Sequence, residues 1–250
     1  MRVEAGTTRF ACGALLLLAA PIGARAECPH PYMPWREGAV WVYSSGSGVG
    51  VGAVKETLTV RVKSVVRTDT GEQATLSSVL VRSSAGGASH ETVLPEQAFA
   101  CGANGISAPT PATEACSGSD CADRSRVRVH SKSGVLMPPS DALRRGFSWE
   151  DRFAYEVSPP AGSTATFSAR GGSRSGGREN RRTVDQVEMV NTPLGQVEAI
   201  KVIDREKVVM PHQREPFVRT TVSWYARGVG MVRMIDGDRV TELVSFTMGR

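Results

Sequence analysis

No apolar run after residue 26 approaches the roughly 20 residues that a membrane-crossing helix needs. The chain is therefore expected to lack a transmembrane segment. Chemistry-bearing residues are also scarce. Histidine occurs four times in 250 residues, as His30, His90, His130 and His212. No His-Glu-x-x-His pair is present, which excludes the helical zinc-hydrolase signature. No serine lies in Gly-x-Ser-x-Gly, so the strained nucleophile elbow has no candidate. Gly46, Gly48, Gly50 and Gly52 alternate without the Gly-x-Gly-x-x-Gly spacing or a strand–helix unit around them. They read as a flexible hairpin region and not as a dinucleotide fingerprint. Helical periodicity is absent beyond a short stretch at 141–145, which Gly146 stops. A strong excess of charge is missing as well. Without Arg2, Arg9, Arg25 and Glu4 of the N-terminal segment, net charge falls from +5 to +3. That balance argues against a dedicated nucleic-acid binder, which concentrates positive charge on one face.

What the chain does have is an export signal. Arg2 and Arg9 open it, Phe10 to Ala20 form an apolar run with four leucines from Leu15 to Leu18, and Ala24-Arg25-Ala26 is a small-x-small cleavage site. Residues 1–26 are read as a signal peptide and 27–250 as one β-rich domain, periplasmic or extracellular. Cys28 follows Glu27, not the small residues that lipoprotein processing prefers, so a lipid anchor is not expected.

Cys12 leaves with the signal peptide. Cys28, Cys101, Cys116 and Cys121 remain, an even number in an exported chain, which suggests two disulfides. Cys116–Cys121 across the turn-forming residues 117–120 and Cys28–Cys101 are the preferred pairs among three connectivities. A four-cysteine zinc site lacks the paired short spacings of structural zinc. Cys28 with His30 offers only two ligands. Neither a metal nor a cofactor is expected.

Strands and turns run almost throughout. Val40 to Tyr43 is rich in β-formers. Leu58, Val60 and Val62 alternate with Thr59, Arg61 and Lys63. A turn at Thr68-Asp69-Thr70-Gly71 returns the chain into 74–81. Residues 102–122 read as a cysteine-stapled loop, and Val127 to His130 as another strand. Residues 159–182 carry Pro159-Pro160, Gly171-Gly172, Gly176-Gly177 and five arginines, Arg170, Arg174, Arg178, Arg181 and Arg182. They are expected to form a flexible loop, with contact to an anionic surface as the sharper alternative. The last third is the most regular. Strands are expected at 183–190, 196–204, 217–225, 230–235 and 239–247, and Asp236-Gly237 gives a two-residue hairpin signal. Short, evenly spaced strands joined by hairpins imply an all-β fold with little helix. The expected architecture is a strongly curved antiparallel meander, a half-barrel or open barrel.

Three segments resemble a known group. They are the opening Tyr32-x-Pro34-x-x-x-Gly38-x-x-Trp41-x-Tyr43, the middle Gly146-Phe147-Ser148-Trp149 with Thr192 to Ala199, and the close Trp224-Tyr225-Ala226-x-Gly228-Val229-Gly230-x-Val232. The pattern is similar to uncharacterised exported bacterial β-domains, the TapB-like proteins and their relatives of unknown function. More distantly it resembles the half-barrels of periplasmic lipoprotein carriers, and this likeness implies a concave face able to hold acyl chains. Read physically, Trp41, Trp149 and Trp224 are core anchors, and Gly228 and Gly230 permit a bulge or tight bend between two strands.

No catalytic constellation emerges. Glu150 and Asp151 are neighbours, but adjacent residues on a strand point to opposite faces, so they read as solvated charges at a strand end. Asp236-Gly237-Asp238 lacks the further oxygen ligands of a calcium loop. The sequence therefore points to a non-enzymatic envelope protein, expected to be a monomer. It would act as an interaction or scaffold module on an unidentified envelope protein. The alternative is a periplasmic carrier or sensor of a lipid or other apolar ligand.

Overall fold

Alternating side chains and tight turns generate a continuous meander in the computed structural model, which describes residues 28–47, 54–84, 86–107, 127–157, 174–210 and 215–249. In chain order the strands are β1 (Cys28–His30), β2 (Met33–Trp35), β3 (Val40–Ser47), β4 (Val54–Thr68), β5 (Gly71–Ser84), β6 (Ser89–Gly102), β7 (Gly105–Ile106), β8 (Val127–Gly134), β9 (Ser148–Val157), β10 (Arg174–Thr192), β11 (Gly195–Val209), β12 (Phe217–Ala226), β13 (Gly230–Asp236) and β14 (Arg239–Thr247). No helix occurs among the described residues.

Strands β3 to β14 form one 12-stranded antiparallel sheet in the order β7-β6-β5-β4-β3-β14-β13-β12-β11-β10-β9-β8. Its centre joins the first and last main strands, β3 and β14, so both ends of the domain share the middle of the sheet. The all-β half-barrel expected from the sequence is the observed class. The strand ladder does not close on itself, but the two ends of the sheet touch at one place. Ile106 of β7 bridges Met137, just past β8, with Ile106 N donating to Met137 O at 2.7 Å and Leu136 N donating to Ile106 O at 2.7 Å. Ile106 and Met137 are both buried, so apolar packing backs this tie.

Local chemistry explains the hairpins. Thr68 pairs with Gly71 across the expected turn. Gly71 has φ +142, and a Cβ there would collide with the Cys101 carbonyl. Only glycine fits that approach. The β13–β14 loop is Gly237-Asp238, because Asp236 already pairs with Arg239. The expected turn is thus present but displaced by one residue. On β4 a register shift between Val62 and Ser64 lets Val62 and Val65 both face the core, although they are three residues apart.

The β1–β2 hairpin forms a separate two-stranded sheet that packs against β5, β6 and β13. Trp35 meets Phe99 of β6 with ring centroids 4.6 Å apart, and Gly228 N donates to Pro31 O at 2.7 Å. It plugs one end of the curved sheet. The core around it includes Tyr32, Trp35, Trp41, Tyr43, Phe99 and Leu243.

One expectation about a loop changes. The segment 159–182 is not a loop to its end, because β10 begins at Arg174 and Arg178 to Arg182 pair on both sides with β9 and β11. Tyr155 explains how the glycines are tolerated there. Its ring lies against Gly176, where a Cβ would sit 2.5 Å from the ring, so an aromatic covers the bare backbone. The signal peptide 1–26, the start of the second proline–glycine stretch and most of the 102–122 loop, with Cys116 and Cys121, lie outside the described residues.

Candidate functional site

Register places a long series of polar side chains on one face of the sheet. Arg82 pairs with Glu56, Glu56 with Ser45, Ser45 with Thr241, Thr241 with Met234, Met234 with Ser223, and Ser223 with Val202. One step along each strand lie Arg239, Asp236, Thr221, Asp204 and Arg182, which also pair in sequence across β14 to β10. Residues paired or two apart share a face. Toward the hairpin plug that face is apolar, with Tyr43 paired to both Leu58 and Leu243. Away from the plug it is charged.

The charges form three linked groups. Glu56 accepts from Arg82 Nε at 2.8 Å and from Arg239, whose Nη2 also donates to Ser45 Oγ at 2.9 Å. Arg219 donates to Glu206 through Nε at 3.0 Å and Nη2 at 2.5 Å, and to Asp236 at 3.3 Å. Arg178 lies 3.6 Å from Glu206 and covers the Phe153 ring at 5.0 Å. The most buried group centres on Arg182, 8% exposed, which binds Asp151 through Nη1 and Asp204 Oδ2 through Nε at 2.8 Å. Asn180 Nδ2 donates to Asp151 Oδ2 at 3.0 Å.

The electrostatics follow from burial set against pairing. Burial works against the Arg182 charge, but Asp204 and Asp151 outweigh it and hold its pKa above the usual value. Burial first, then the charges of Asp151 and Glu206, hold the Asp204 carboxyl above its usual range against the pull of Arg182. Glu56 shows the reverse: burial raises it, but its two arginines prevail and hold it below the ordinary value. Tyr225, raised by burial, stands within the field of Arg182 and Asp204. Each carboxylate near Arg182 is committed to the guanidinium or to Asn180, so the cluster binds the sheet to itself.

A second feature is a cleft of about 460 Å3 beside the plug, lined by residues including His30, Arg67, Glu72, Cys101, Ile106 and Ser140. His30 is structural. Its Nδ1 accepts from Tyr32 N at 3.2 Å, so the ring proton sits on Nε2 and is donated to Pro138 O at 2.8 Å. Burial lowers its pKa, opposed by that carbonyl and assisted by Arg227. Neither ring nitrogen is left for a ligand. Among the described residues no group of three or more His, Cys, Asp or Glu is placed to hold a metal.

The residues singled out from the sequence are dispersed. Trp41 is buried, stacks on Phe246 and donates to Val229 O. Trp149 is buried, stacks on Phe147 and donates to Leu136 O at 3.2 Å. Trp224 is buried, donates to Glu188 at 2.6 Å and lies under Arg233. Gly228 and Gly230 adopt φ of +72 and +101 around the β12–β13 turn. Cys101 is buried on β6, and Cys28 lies on β1, which packs against β6. Glu150 and Asp151 do point to opposite faces, but Asp151 is not a solvated charge. It is 4% exposed and locked to Arg182, while Glu150 binds Arg152 at 2.6 Å on the surface.

Arg182, Asp151, Asp204 and Asn180 were not legible as a cluster. Their only local signal is the period-two pattern Arg178-x-Asn180-x-Arg182-x-Val184 running into an apolar strand.

Comparison with known proteins supports the fold. Residues 168–248, about a third of the chain, match a family model described as DUF3108-like. The match covers β10 to β14 and so includes Arg182, Asp204, Arg219 and Arg239, but not Asp151 or Glu56. A candidate exported protein with a YmcC-like fold from Bacteroides fragilis is similar in structure, with TM-score 0.51, 15% identity, and coverage of 90% of this chain and 100% of that one. A candidate lipoprotein from Parabacteroides distasonis gives TM-score 0.46 and 16% identity, with coverage of 90% of this chain and 100% of that one. No curated protein matches the chain. The resemblance to uncharacterised exported bacterial β-domains thus holds at the level of fold.

Proposed function

We propose that the chain is a non-enzymatic, exported envelope domain that works as an interaction module, offering a sheet edge to a protein partner. One observation carries this reading. Residues Ser89–Gln97 of β6 pair with β5 on one side and with no strand on the other among the described residues. Val93, in the middle of this edge, is 73% exposed. An unpaired edge presents a row of N–H and C=O groups that a partner strand can extend. The concave face supports the same reading. It is occupied by the hairpin plug and aromatic packing at one end and by buried ion pairs around Arg182 at the other, a poor bed for an acyl chain. The export signal directs the domain to the periplasm or beyond. A disulfide between Cys101 and Cys28 would fasten the plug in that oxidising compartment.

The cleft of about 460 Å3 favours a second reading, a carrier or sensor of a lipid or other apolar ligand. Its lining mixes Ile106 and Pro139 with Arg67 and Glu72, which suits an amphiphile better than a bare acyl chain. Photo-crosslinking in the native cell separates the two. A photoreactive residue at Val93 should give one discrete protein adduct, and one at Val187 on β10 should give none. Equal labelling at both positions would count against the edge.

A further inference from the structure

The two strands that bury Arg182 also carry arginines on their opposite, solvent-facing side, and these are paired far less well. The register sets Arg181 directly across from Arg205. Like charges opposed on neighbouring strands destabilise a sheet. Arg205 is exposed, its neighbour on β12 is Thr220, and it makes no ion pair among the described residues. Arg181 is held weakly. Its Nε stands 3.9 Å from Glu150, a carboxylate that Arg152 already binds at 2.6 Å. Two residues along the ladder Thr183 faces Ile203, and together with the two arginines they line a pocket of about 310 Å3. Thr183 Oγ1 and Ser148 Oγ lie 2.8 Å apart and share one hydrogen bond. Two hydroxyls that share one bond leave one O–H proton to donate elsewhere.

We propose that Arg181, Arg205 and Thr183 bind the phosphate group of an envelope phosphate ester. Guanidinium forks present parallel N–H donors that match phosphate oxygens, and a bridging anion turns the Arg181–Arg205 repulsion into attraction. The hydroxyl supplies a third donor to a tetrahedral oxyanion, and Ile203 gives an apolar wall for the ester's carbon side. Arg152 and Lys207 stand on the same face, one register step away, and Glu150 and Glu179 balance them in part. The pocket itself therefore keeps the unbalanced positive charge. The arginine-rich stretch of the sequence thereby divides into two uses, with Arg182 building the interior and Arg181 facing a ligand.

The test is titration calorimetry of the purified protein with inorganic phosphate and with glycerol phosphate at constant ionic strength. Vesicle flotation, comparing phosphatidylglycerol with phosphatidylcholine, runs in parallel. Binding of the soluble phosphates that weakens about tenfold or more in Arg205→Gln supports the site with a soluble ester as its source. Flotation with phosphatidylglycerol alone, lost in Arg205→Gln, supports it with a lipid head group as source. The charge-matched control Arg61→Gln must keep binding in either case. Arg205→Gln relieves repulsion, so its Tm should equal or exceed that of the wild type. No binding in any arm, equal binding by Arg205→Gln, or a lowered Tm in that variant would overturn the proposal.

Discussion

The two ends of the concave face are held together by different physics. Beside the plug, Trp35, Phe99, Tyr43 and Leu243 pack as an ordinary apolar core. At the other end, Arg182, Asp151, Asn180 and Asp204 are buried as a charged network. An apolar core degrades gradually, since each truncation forfeits transfer energy and leaves a cavity. A buried ionic network fails abruptly when one partner is removed, yet contributes little when it is replaced whole by apolar groups.

That contrast can be broken most sharply at Arg182. Arg182→Met should cost about 3–5 kcal/mol in urea unfolding, because Asp151 and Asp204 are left buried without their counter-charge. The triple variant with Asp151→Leu and Asp204→Leu should recover most of that loss. A triple variant as unstable as Arg182→Met would show that the network contributes net stability. Leu243→Ala, at a side chain with 0% exposure, should cost about 3 kcal/mol by the same measurement. No companion substitution among the charged residues should rescue it.

A smaller effect is expected at His30, on the plug itself. Its folded pKa is depressed by burial, so the folded state binds fewer protons than the unfolded chain does near pH 6. The stability that depends on neutral His30 is present above the unfolded value of about 6.5 and is lost as pH falls below it. His30→Gln should flatten the fall of Tm just below about pH 6.5, and an unchanged slope would remove His30 as its source. The smallest effect belongs to the exposed pair Lys63–Glu96, at 2.5 Å with both side chains about half exposed. Glu96→Gln should change stability by less than about 1 kcal/mol.

Legibility in the sequence follows the same division. The strands with clean alternation were readable, including β11 to β14 and the turns at Thr192–Gly195 and Thr68–Gly71. β6 is not legible, because Pro95 and the polar run around it break the pattern that marks a strand, and an edge strand tolerates both. The first half of β10 reads as a loop in sequence because Gly176-Gly177 and the arginines match the composition of solvated linkers. Tertiary pairing with β9 and β11 overrides that composition, and its only local trace is the alternation of Arg178, Asn180 and Arg182. Trp41, Trp149 and Trp224 read as core anchors from size and apolarity, and all three are buried. The network around Arg182 draws on β9, β10 and β11, so its members come together only through register, which a single sequence does not display.

A concave face filled by the chain's own side chains leaves binding to the outside of the sheet. Native mass spectrometry of the protein from a periplasmic extract, with lipid extraction in parallel, tests it most directly. The expected result is the mass of the processed chain with no apolar adduct, and after incubation with lipid mixtures no lipid beyond any that Arg205→Gln abolishes. A co-purifying lipid that fills the space between the hairpin plug and the Arg182 network would contradict it and make the carrier reading primary.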